Sequence, residues 1–346
     1  MTSDAASAEP NRSDVLGPGE VSRPERHEQI VAARNVGHEA RRPSEIPPRG
    51  WWQVLRRVWG EAFSDRISIM AAGCAFYALL ALFPAISVLI SLYGLWFDPT
   101  ALEHQLEGVR SLLPATAYDM VAQRVHALAA KGTTTLTWGV ALGVLFALWS
   151  ASAGTKALIV SLNAAYEETE KRPLVRYHLT ALLFTLCGVV GVGVALAVIV
   201  GLPALLQLGW LGPMAQLATS AVSYLLLVAF IVLGLALLYR FAPSRREAHW
   251  RWVTPGSALA AGLWLLASFL FSFYVANFAS YDSMYGSLGA VVATLFWFYI
   301  SAFVVMLGAE LNAELELQTK RDTTAGRERP MGQRGAYVAD HVAIPD

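Results

Sequence analysis

A chain of 346 residues that is 55% hydrophobic and 15% charged, with mean hydropathy +0.45, is too apolar to be one soluble domain. Its formal net charge is zero, so bulk charge points to no nucleic-acid partner. Its two cysteines, Cys74 and Cys187, lie in separate apolar runs; they exclude a disulfide framework, speak against a metal site, and are expected to be buried, inert thiols.

Residues 1–50 contain no Phe, Trp or Tyr but seven Arg and eight acidic side chains. So little apolar surface cannot offset chain entropy, and a disordered cytoplasmic tail is expected. The tail has no apolar core of a secretory signal, so the first membrane helix is expected to stay uncleaved. In the next segment Trp51, Leu55, Val58, Trp59 and Ala62 share one helical face, with Gln53, Arg56, Arg57 and Glu61 largely off it. Residues 51–66 read as an amphipathic helix in the headgroup plane; the alternative is a helix packed on its own bundle.

Ile67 to Phe97 is the first run without Asp, Glu, Lys or Arg. As a helix it would be about 46 Å long, against a hydrocarbon core of about 30 Å. Pro84, near its middle, predicts a kink, tolerated in lipid where neighbouring helices satisfy the freed carbonyl. Further charge-free windows are Gly132–Thr155, Tyr177–Tyr239, Trp252–Tyr281 and Ser283–Ala309. The 63-residue window Tyr177–Tyr239 must cross twice, breaking at the Gly-Pro turn Leu208–Pro213. The prediction is an all-α polytopic membrane protein with six transmembrane helices. The spans fall at about 67–97, 134–158, 179–206, 215–239, 253–277 and 285–309 by this window count.

Alternate connecting segments hold 23 Lys and Arg on one side and 3 on the other. The positive-inside rule then places both the N and C termini in the cytoplasm. Trp96, Trp138 and Trp210 fall near the outer interface, and Trp250 and Trp252 near the inner one. The outer loop 98–133 carries Leu102, Leu106, Val109 and Leu113, then Ala117, Val121, Val125 and Leu128, at helical spacing. Two short helices, capping the bundle or lying on the membrane, fit this periplasmic loop equally. The 313–346 tail is expected to be mostly disordered cytoplasmic chain. No clear internal repeat is present.

Small residues four apart, such as Ala71 with Ala75, Gly191 with Ala195, Ala258 with Gly262 and Gly289 with Ala293, read as helix-packing positions. The chain has no His-Glu-x-x-His pair, Cys-x-x-Cys, Gly-x-Ser-x-Gly or phosphate-binding Gly-rich loop, so no catalytic residue, cofactor or metal ligand is assigned. Lys156, Arg240, Asp282 and Glu310 are placed at span ends, where snorkelling is the plain explanation. With no charge expected at mid-depth, an amphipathic molecule in a groove fits better than a bare ion. Candidates for such a groove are Tyr77 and Pro84 of the first span, then Lys156 and Asn163 leaving the second. The last span adds Tyr281, Asp282, Tyr285, Gly286 and Gly289 at its outer turn, and Glu310 and Asn312 at its inner end. Core packing competes with ligand contact at each of them.

The run Ala71-Ala72-Gly73-Cys74-Ala75-Phe76-Tyr77 through Phe83-Pro84 resembles the first-helix signature of the YihY/BrkB family of bacterial inner-membrane proteins. Lys156-Ala157-Leu158 leading to Leu162-Asn163 is similar to that family as well. So is the stretch from Tyr285-Gly286-Ser287-Leu288-Gly289 through Trp297 to Leu307-Gly308-Ala309-Glu310-Leu311-Asn312-Ala313. The likeness covers Trp51 to Leu317; Gly73 and Cys74 depart from it mildly. It implies a six-span inner-membrane protein with cytoplasmic ends, tied in some members to serum resistance or envelope lipids. The family also carries an old ribonuclease label and no agreed catalytic residue. The function expected is transport or handling of a lipid or lipid-linked envelope component, with membrane lipids as partners and no enzymatic activity. A non-transporting envelope-assembly scaffold with its own partners is the alternative. A ribonuclease ranks last, because RNA hydrolysis needs carboxylates on metal or a His-based pair in one cleft.

Overall fold

The structure, a computed structural model, describes residues 36–62, 65–96, 138–196, 213–277 and 289–343. They are helical almost throughout: α1 (Pro48–Ala62), α2 (Asp65–Trp96), α3 (Trp138–Ala165), α4 (Leu174–Leu196), α5 (Pro213–Phe241), α6 (Trp250–Asn277), α7 (Gly289–Leu317) and a single turn, α8 (Tyr337–Asp340). A lone bridge, Ala248 with Thr324, is the extent of β-pairing among the described residues. Five helices are long and apolar enough to cross a membrane, and a sixth is reached by joining α1 to Ile67–Leu82 across a 60° bend. The all-α membrane architecture expected from the sequence is therefore the one found.

Helix ends follow local chemistry. α5 starts on Pro213, whose missing N–H is one of the unpaired donors of a first turn. α3 ends in a Schellman turn. Glu168 N–H donates to Asn163 O (2.7 Å) and Glu167 N–H to Ala164 O (3.1 Å), with Glu167 in the left-handed region at φ 55°. α2 runs through Pro84 without interruption.

α7 is the hub. It packs against α6, α2, α1 and α3, while α5 packs on α6 and α4 on α3. The residue sizes are inverted relative to a soluble bundle. Small side chains fill the inside, among them Ala71, Ala181, Ala260 and Ala309, whereas Phe146, Leu183, Phe269 and Phe273 stand on the outside. Lipid offers helices no hydrophobic reason to associate, so close backbone approach through small residues takes over. The tightest approach is between α6 and α7. A Cβ on Gly256 would come within 2.0 Å of Gly308 O, and one on Gly308 within 2.5 Å of Tyr239 Oη. Not every small pair serves this way: Gly262, read from the sequence as a packing position, faces open space.

Several other expectations are corrected. Cys187 is exposed on α4, while Cys74 is buried beside Ser161 Oγ at 3.3 Å. The buried face of α1 is Gly50, Val54, Val58 and Ala62, packed on Leu311 and Leu315 of α7, while Trp52, Leu55 and Trp59 remain exposed. α3 continues to Ala165, so Lys156 lies inside the apolar segment Gly143–Ala165 and not at its end. α7 likewise continues seven residues past Glu310.

The tails are not both loose. Residues 36–46 sit against α1 and α7, and 318–343 fold over the same end of the bundle. Arg334 organises the latter segment: its guanidinium donates to the carbonyls of Lys320, Arg321, Arg329 and Ala339. Asp340 accepts from the backbone N–H groups of Gly332, Arg334 and Gly335. Composition alone suggests disorder there; two hydrogen-bond hubs, buried Arg334 and part-exposed Asp340, supply the order that apolar content does not.

Candidate functional site

Polar side chains converge at the end of the bundle where both described termini lie. α3 delivers Asn163 in its last turn. The Asn163 amide accepts from Ser244 N–H (2.7 Å) and donates to Glu170 (3.1 Å), joining the α3–α4 turn to the α5–α6 turn. Ser244 Oγ in return accepts from Lys171 N–H at 3.0 Å. Arg172 grips Glu170 through two nitrogens at 2.7 Å and reaches Ala242 O. That guanidinium holds the Glu170 carboxyl down at about 2.

One residue beyond Ser244, Arg245 turns into the bundle. Its side chain and that of Glu316 are both completely shielded, and Arg245 Nη2 donates to Glu316 Oε1 at 2.6 Å. Glu316 Oε2 accepts from Thr323 Oγ1 at 2.6 Å. The guanidinium lies over the Tyr166 ring at 4.3 Å, while its Nε and Nη1 meet no acceptor among the described residues. Burial pushes the Tyr166 hydroxyl upward against the opposing pull of Arg245. Asn312 and Glu310 of α7 line the same interior. Asn312 accepts from Gly256 N–H (2.8 Å) and donates to Val253 O (3.1 Å), pinning α7 to the first turns of α6. Tyr239 Oη donates to Val305 O at 2.7 Å.

The C-terminal segment closes this end. Tyr337 N–H donates to Glu168 (2.6 Å), His249 N–H to Thr323 O (2.9 Å), and Arg246 N–H to Gly335 O (2.9 Å). Arg57 of α1 bonds Glu314 and reaches Gln318 at 2.8 Å. Among the described residues no group of three His, Cys, Asp or Glu side chains is placed to hold a metal ion.

Of the groove residues expected from the sequence, Asn163, Glu310 and Asn312 gather here. Tyr77 does not; it stands 45% exposed on α2, edge-on to Phe76 at 5.5 Å. Lys156 sits apart from them, partly exposed on α3, its Nζ 4.7 Å from the Trp149 ring. Pro84 lies within α2, and Gly289 opens α7 as a buried residue. Tyr281, Asp282, Tyr285 and Gly286 fall outside the described residues, as does the 98–133 loop. α2 and α7 meet through Ala71, Cys74, Ala302 and Met306, with Ala157 and Leu158 of α3 packed against them. Sequence reading missed Arg245, Glu316 and Ser244 as partners, since their contacts span 71 to 81 residues. The available signal was the pairing of Arg245-Arg246 in a short turn with Glu310, Glu314 and Glu316 on the last helix.

A family model described as "Virulence factor BrkB" matches residues 58–332. The chain belongs to the BrkB family. Among curated BrkB-like relatives, the ribonuclease-like protein YfkH of Bacillus subtilis is 31% identical over 263 residues, covering 72% of this chain and 90% of its own. A UPF0761 membrane protein of Aeromonas salmonicida is 29% identical over 264 residues, covering 74% and 86%. Another from Pseudoalteromonas translucida is 26% identical over 283 residues, covering 79% and 88%. No solved structure matches. The matched region takes in Arg57's neighbour Val58, all the long helices and the tail as far as Gly332. The family is thus one of membrane proteins, and this chain is a membrane protein of that family.

Proposed function

We propose that this protein moves or shelters a lipid or lipid-linked envelope component along its outer faces in a bacterial inner membrane. The observation that carries the reading is the contrast between inside and outside. The described interior is closely packed: Ala71 and Ala302 share one buried cluster with Cys74 and Met306, and Gly256 lies against Gly308. Polar tips stand instead towards the periphery: Tyr77 is exposed beside Phe76 and Leu80, and Lys156 meets the half-exposed Trp149 ring. An amphipathic cargo can keep its chains in lipid while such tips meet its headgroup. Six crossings with both ends in the cytoplasm fit the strong excess of Lys and Arg in alternate connecting segments. The packed polar end then faces the cytoplasm, and exposed Trp52 and Trp59 of α1 lie at the headgroups there.

The test is transbilayer movement of fluorescent phospholipid in liposomes holding the purified, folded chain. Dithionite quenching faster than in empty vesicles is expected. A rate equal to that of empty vesicles removes the proposal.

A further inference from the structure

Lys156 is the sole charged residue of the apolar segment Gly143–Ala165. The facing segment Leu174–Ala195 adds Arg176 and His178 and contains no Asp or Glu. Lys156 Nζ has three donors, and among the described residues it makes no hydrogen bond and no ion pair to a carboxylate. What it has is the Trp149 ring at 4.7 Å. That indole, 48% exposed, stacks on the His178 imidazole at 5.0 Å and 10°. The cluster is built from both helices. Tyr177 meets His178 edge-on at 5.3 Å, and its hydroxyl donates to Lys156 O at 3.4 Å. His178 Nδ1 lies 2.8 Å from Leu174 O, a contact that fixes the imidazole plane against the Trp149 indole. Around the cluster Leu145, Phe146, Leu179 and Leu183 form an exposed apolar surface.

A cation on the bilayer side of an apolar segment is costly without a counter-charge, and its presence marks a partner. Here no side chain of either segment can supply one. We propose that Lys156, held at the Trp149 ring that His178 braces, binds the phosphate of an anionic phospholipid whose acyl chains lie along the exposed faces of α3 and α4. Basic pockets between membrane helices hold anionic headgroups by the same physics. The inference names the headgroup chemistry for the lipid-handling reading and rests on that reading only for what the lipid does next.

The test is native mass spectrometry of the full chain in detergent, titrated with phosphatidylglycerol or phosphatidylcholine. The wild type is expected to retain phosphatidylglycerol preferentially. In Lys156→Gln that preference falls about fivefold, the worth of one lysine beside an anionic lipid. Lys156→Arg keeps it, and Arg176→Gln, on another face of α4, changes it less. Glycerol phosphate in excess leaves the lipid bound, which separates a lipid site from a site for free phosphate. Equal retention of both lipids by the wild type overturns the proposal, a readout that needs no variant to fold. So does an unchanged preference in Lys156→Gln, or displacement by glycerol phosphate. Scrambling without lipid preference removes this site and leaves the transport reading; preference without scrambling does the reverse.

Discussion

Two glycines of α6, six residues apart, should respond in opposite directions to the same methyl group. A Cβ on Gly256 meets Gly308 O at 2.0 Å and Asn312 Cγ and Nδ2 at 2.5 Å. Gly308 O is backbone and cannot swing aside, so α6 and α7 must part. Parting them breaks the Asn312 bonds to Gly256 N–H and Val253 O. Overpacking costs about 1–3 kcal/mol and each lost hydrogen bond about 1 kcal/mol, so Gly256→Ala should destabilise by about 3–5 kcal/mol. Gly262 has nothing within 4 Å of its added Cβ. There alanine only improves helix propensity, and Gly262→Ala should be neutral or stabilising by up to about 1 kcal/mol. Thermal unfolding of both variants in one detergent, followed by size-exclusion recovery, compares them directly. A Gly256→Ala protein that melts with the wild type would refute the close crossing of α6 and α7, and with it the α7 hub.

Arg245→Met should cost about 3–5 kcal/mol because it strands the buried Glu316 carboxylate, and adding Glu316→Leu should recover much of it; a melting-based double-mutant cycle measures the coupling. Glu170 has a folded value depressed by Arg172, so the stability it gives is present above the ordinary carboxylate range and is lost as pH falls towards about 2. Melting temperature should therefore drop on acidification from pH 5 to 3 more steeply in the wild type than in Glu170→Gln, and parallel curves would contradict the pairing. Arg334→Ala removes the donor shared by four carbonyls and should release residues 318–343 to limited proteolysis while the helices stay protected. Unchanged protection of the tail would show that Arg334 is not its anchor.

What could be read from the sequence was set by periodicity and by charge-free length. The apolar runs correspond to α2 to α7, and the expected break before Pro213 agrees with the start of α5. The end of α7 was not legible, because Glu310, Glu314 and Glu316 resemble the polar margin of a span. In the folded chain Glu314 meets Arg57 and Glu316 meets Arg245, so the helix carries them inward to Leu317. Those partners are 257 and 71 residues away, beyond any local pattern. The same limit hid the folded tail, whose order depends on Arg334 and Asp340 and not on apolar content. Of the groove candidates, Asn163 and Asn312 proved to be fasteners between helices, a role their position just past an apolar run does not reveal. At Lys156 the charge-free window stops, while the helix itself continues to Ala165.

The Arg245–Glu316 pair also bears on biogenesis. A guanidinium reaches the ribosome exit 71 residues before the carboxylate that neutralises it. Until α7 arrives, that cation has no buried carboxylate to meet, so the pairing of this end of the bundle waits on the last long helix. Arrival of Glu316 supplies the counter-charge, and Thr323, at the start of the segment that folds over the join, ties the same carboxylate from the other side.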